Sequence, residues 1–90
     1  MAAFLVELYV ACTNDDALEQ CAVRARLAAE DLMRSGVGVR LMRSIFVPAD
    51  ETCFLLFEAV AAESVQDVLV RAGLPFERIT DAVTTSGVGI

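Results

Sequence analysis

Two apolar, strand-length runs separated by a short proline-containing turn constrain this chain more than any other feature. They are "VGVRLMRSIFV" at 37–47 and "ETCFLLFEA" at 51–59, joined through Pro48-Ala49-Asp50-Glu51. Proline presets φ and lacks the N–H that a central strand would need, so this segment reads as the turn of a β-hairpin. Asp50 and Glu51 are two adjacent acids with no third ligand converging on them, and they read as solvated turn residues.

The flanking segments complete a pattern. "AFLVELYVA" has the length and composition of a strand, with Phe4, Val6, Leu8 and Val10 on one face and Leu5, Glu7 and Tyr9 on the other. "TNDD" offers Thr13 or Asn14 as a helix N-cap and two acids for the first turn. Leu18, Cys21, Ala22, Ala25, Ala29 and Leu32 then recur at helical spacing up to a stop at Gly36, which predicts a helix from about residue 14 to about 35. "AESVQDVLVRAG" predicts a second helix with Val65, Val68, Leu69 and Ala72 on one face, ended by Gly73 and Pro75. "FERITDAV" predicts a fourth strand, and "TTSGVGI" is small and polar enough to be a flexible tail. The expected organisation is one domain over 1–84 and a tail over 85–90.

The order β-α-β-β-α-β in a chain of 90 residues is the ferredoxin-like plan, an α+β fold with two helices on one face of a four-stranded antiparallel sheet. The other face stays open. Pairing Val47 with Thr52 puts Arg43 opposite Leu56 and Leu41 opposite Glu58. Leu41, Arg43, Ile45, Phe54, Leu56 and Glu58 then share one face, expected to be the open one, and Arg40, Met42, Ser44, Phe46, Cys53, Leu55 and Phe57 the other, which apart from edge Arg40 suits helix packing better. Hydrophobic residues make up 57% of the chain, so an apolar sheet face is expected to meet a partner. A homodimer paired through the open faces, a dimeric α/β barrel, is the expected assembly.

Charge narrows the partners. Thirteen acids against seven arginines, no lysine and a formal charge of −6 disfavour nucleic acid and anionic membrane surfaces. No apolar run approaches the roughly 20 residues of a bilayer span, and "MAAFLVELYV" lacks the basic start of a signal peptide, so a cytoplasmic location is expected. Cys12, Cys21 and Cys53 have no C-x-x-C spacing and read as small reduced residues, with Cys12 the one candidate for a reactive thiol.

Without histidine there is no Ser-His or Cys-His pair and no imidazole for a metal. "GVG" at 36–38 and 87–89 lacks the strand-to-helix setting of a phosphate loop. The remaining chemistry lies on the open face. Glu7 and Glu58 are the candidate catalytic carboxylates, and Tyr9, Arg43 and Phe54 the candidate ligand contacts, with no metal and no cofactor. Two arrangements are open: Arg43 pairs with Glu7 or Glu58 as a structural ion pair, or these groups line a small-molecule pocket.

At "FLVELYV", "VRLMRSIFVPADETCFLLFEA" and "RAGLPFERITDAV" the chain resembles the small bacterial ferredoxin-like proteins grouped as a domain of unknown function. One branch of that family is described as nickel-binding or nickel-responsive. The resemblance covers most of residues 4–83 and implies a ferredoxin-like fold and a homodimer, with no established reaction. That family usually carries a histidine where this chain has Leu8, while Glu7 and Tyr9 match.

The function expected is therefore a homodimeric small-molecule-binding protein, accessory to a biosynthetic pathway. A cofactor-free cyclase, isomerase or monooxygenase using Glu7 or Glu58 is the first alternative. Metal binding through carboxylates and Cys12 or Cys53 is the second.

Overall fold

The computed structural model describes residues 1–9 and 15–84. Its elements are β1 (Ala2–Tyr9), α1 (Asp15–Arg34), β2 (Val39–Val47), β3 (Thr52–Ala59), α2 (Ala62–Ala72) and β4 (Arg78–Ala82). All strand pairs are antiparallel, in the order β2-β3-β1-β4. This is the ferredoxin-like fold. The expected N-cap at Thr13 or Asn14, the thiol of Cys12 and the tail at 85–90 lie outside the described residues.

Period-2 alternation sends Phe4, Val6 and Leu8 of β1 and Cys53, Leu55 and Phe57 of β3 toward the helices, where all are buried. They meet Ala25, Ala28, Ala29 and Leu32 from α1 and Val65, Val68, Leu69 and Ala72 from α2. Ala25, Ala28 and Ala29 are the small buried side chains through which α1 joins this core.

Both helices end in the same way. Gly36 and Gly73 have φ of +96° and +69°, a region an L side chain rarely adopts. The next N–H in each case, Val37 or Leu74, donates back to Leu32 O or Leu69 O at 2.9 Å, closing a Schellman cap.

The hairpin turn is a single 3-10 turn, Pro48–Asp50, followed by Glu51 in the left-handed region at φ 49°. The Glu51 N–H donates to Pro48 O, and the Thr52 hydroxyl donates to Asp50 O at 2.9 Å. The expected register at Val47↔Thr52 and Arg43↔Leu56 is observed.

Beyond Arg43 the register departs from expectation. A β-bulge between Leu41 and Arg43 makes Met42 an extra residue, so Leu41 lies opposite Phe57 and Arg40 opposite Glu58. Leu41 therefore belongs to the helix-packed face and Arg40 to the open one, the reverse of strict alternation. The physical reason is in the burial: the bulge lets Val39, fully buried, and Leu41 both reach the core while Arg40 stays wet.

Candidate functional site

The registers order the open face into rows that run from β4 across β1 and β3 to β2. Ala82, Ala3, Glu58 and Arg40 form one row, and Thr80, Leu5, Leu56 and Arg43 the next. Arg78, Glu7, Phe54 and Ile45 form the third, followed by Tyr9, Thr52 and Val47. No helix among the described residues covers this face, and it carries an apolar patch: Leu5, Phe54 and Leu56 are half-buried, and Ile45 is 47% exposed.

Two ion pairs occupy diagonally opposite corners. Arg40 Nη2 donates to Glu58 Oε1 at 2.9 Å, and Arg78 Nη2 donates to Glu7 Oε1 at 3.1 Å. In each the glutamate sits on a central strand and the arginine on an edge strand, so both candidate carboxylates are neutralised within the chain.

The structural pairing expected for Arg43 is thus taken over by Arg40 and Arg78. Arg43 itself is exposed, lies across from Leu56, and makes no hydrogen bond or ion pair among the described residues. Sequence reasoning missed Arg40 and Arg78 as open-face residues. Part of the signal for Arg40 is in the sequence: Val39 and Leu41 have odd parity and Phe46 even, so once all three are placed toward the helices an inserted residue between them is required. Arg78 depended on the register of β4, which its short sequence leaves unspecified.

Tyr9 sits at the hairpin end of the face and donates its phenol proton to Glu51 Oε1 at 3.2 Å. That bond, and then the negative charge of Glu51, raise the phenol's pKa above its ordinary value. Glu51 is half-buried and engaged, rather than the free turn residue expected, whereas Asp50 is exposed. Beside Tyr9, an open groove of about 520 Å³ is lined by Glu7, Thr52, Glu77 and Arg78.

Phe54 lies at the centre of the face between Glu7 and Ile45. Among the described residues, no group of three or more His, Cys, Asp or Glu is placed to hold a metal ion. Cys53 is buried and Cys21 half-buried, on the helix side of the sheet. No helix among the described residues is long and apolar enough to cross a membrane.

No family model matches the chain, and no curated protein does. Among solved structures, the crystal structure of SCO4226 from Streptomyces coelicolor A3(2) is similar, with a TM-score of 0.79 and 24% identity. The match covers 94% of this chain and all of that one. At that identity the likeness establishes the fold, in agreement with the topology.

Proposed function

We propose that the protein is a homodimer that pairs through its open sheet faces and holds a small molecule between them. The observation that carries this reading is the charge of the open face set against that of the chain. The strand residues of the face, three arginines and two glutamates, carry a formal +1, brought to zero by Glu51 at the Tyr9 end, on a chain whose formal charge is −6. Two copies of so acidic a chain repel one another overall, and this balanced face is one where they can meet.

The pattern is also self-complementary. A two-fold axis parallel to the strands lays β2 of one copy over β4 of the other, and β1 over β3. Arg40 then faces an alanine of the second copy, Glu58 another alanine, Glu7 a phenylalanine and Arg78 an isoleucine. Like charges never oppose one another, and the leucines and Phe54 leave water. Aligned sheets pack about 10 Å apart, and small side chains such as Ala3 and Thr80 facing inward leave room for a ligand.

Native mass spectrometry of the protein purified gently from its host tests both parts. A dimer carrying a small-molecule adduct is the expected result. The variant Phe54→Glu places a carboxylate on central strand β3, opposite Glu7 of the second copy, and is expected to give a folded monomer. A wild-type protein that sediments as a monomer, or a Phe54→Glu dimer indistinguishable from the wild-type one, would refute face-to-face pairing.

A further inference from the structure

The bulge at Met42 has a chemical consequence. In a regular strand, residues three apart point to opposite faces, yet Arg40 and Arg43 share the open one. The extra residue brings two guanidinium groups into adjacent rows of β2, beside a single carboxylate, Glu58. Glu58 is held by Arg40, and Glu7, the other face carboxylate, is held by Arg78 across the sheet. Arg43 is therefore the cation left over, with Leu56 across from it and Phe54 and Ile45 in the next row.

Bulges re-aim side chains, and this one concentrates positive charge at the edge of an apolar patch. We infer that Arg43 is the anchor for a carboxylate-bearing small molecule with an apolar body, bound with its carboxylate at the Arg40–Arg43 corner and its body over Leu56, Phe54 and Ile45. The inference rests on the pairing of open faces proposed above. Closing two such faces encloses one uncompensated guanidinium per copy, since the position opposite Arg43 under the two-fold is a threonine of the second copy. An enclosed cation without a counter-charge is unfavourable, and a monoanion supplies one charge for one charge. A carboxylate also matches the bidentate fork of arginine. A neutral ligand of the same shape would leave the guanidinium uncompensated.

Titration with 2-naphthoate and with its neutral carbinol, 2-naphthalenemethanol, tests this on the intact chain by calorimetry, with sedimentation run in parallel without probe and with the acid. The acid is expected to bind about tenfold or more tightly than the carbinol, and Arg43→Gln to erase that preference while leaving the dimer intact. Arg71→Gln, which removes an arginine in the last turn of α2, is expected to leave the preference unchanged. Equal binding of acid and carbinol, no binding of either, or an Arg43→Gln protein that still prefers the acid would overturn the anchor. A wild type that sediments as a monomer both without probe and with the acid would instead overturn the pairing itself, so the two failures are distinguishable.

Discussion

Besides the shared core, the Arg24 side chain ties the two helices together. Arg24 of α1 reaches the C-terminus of α2, donating to Ala72 O and, at 3.3 Å, to Gly73 O. These are carbonyls at the negative end of the α2 dipole, where a cation is favoured. A charge-assisted bond contributes roughly 1.5–3 kcal/mol when shielded, but Arg24 is exposed, so Arg24→Ala is expected to cost about 1 kcal/mol. Gly73 adds a second, overlapping term. A Cβ there must adopt a left-handed backbone at about 1–2 kcal/mol, and it would lie 2.9 Å from Arg24 Nη2, pushing the guanidinium away. Gly73→Ala should therefore cost about 2–3 kcal/mol in the wild type but only about 1–2 kcal/mol once Arg24 is already alanine. Urea unfolding of the four proteins at one protein concentration gives the cycle. A coupling near 1 kcal/mol is expected, and additivity within about 0.3 kcal/mol would refute the idea that the two substitutions remove the same interaction.

Other expectations follow from burial and charge. Leu55→Ala removes a fully buried side chain from the centre of β3 and should cost about 2–5 kcal/mol by urea unfolding. Burial first, and then the charge of Cys21, push the Cys53 thiol up to about 11. The folded state thus keeps a proton that the unfolded chain releases, so this contribution is complete below the ordinary thiol value and is lost as pH rises toward about 11. Cys53→Ala should flatten the fall in stability over that window. Glu58→Gln breaks an exposed ion pair and should change unfolding by less than about 1 kcal/mol, yet weaken the dimer by leaving Arg40 uncompensated on the pairing face. Sedimentation separates the two effects.

The fold was legible because several levels of the sequence agree. Pro48 marks the hairpin, Gly36 and Gly73 end the helices at the residues that take positive φ, and the apolar sets on β3 and α2, with Phe4, Val6 and Leu8 of β1, are the ones found buried. What resisted reading was the parity of β2. Arg43, Ile45 and Val47 on one side and Phe46 on the other leave both faces of that strand partly apolar, so alternation alone does not tell inside from outside. The end of α1 at Gly36 fixes where β2 begins, and Val39 and Leu41 then have to reach the core out of phase with Phe46.

That phase conflict is where fold and candidate site meet. A regular β2 would satisfy either Val39 and Leu41 or Phe46, and in one of those registers it would turn Arg40 toward the helices. Met42, 42% exposed as the extra residue, resolves the conflict, and Arg40 emerges beside Arg43 as a by-product. Deleting Met42 should then keep Leu41 opposite Phe57 and Arg40 opposite Glu58 in a regular ladder. Only the partial burial of one methionine is lost, about 1 kcal/mol. Amide exchange and unfolding check this directly. A deletion variant that fails to fold would mean that the bulge carries strain or contacts essential to β2, and that the proximity of the two arginines is not separable from the stability of the sheet. A variant that folds and keeps the Arg40–Glu58 pair would show that the register of this edge strand is set by which residues it must bury.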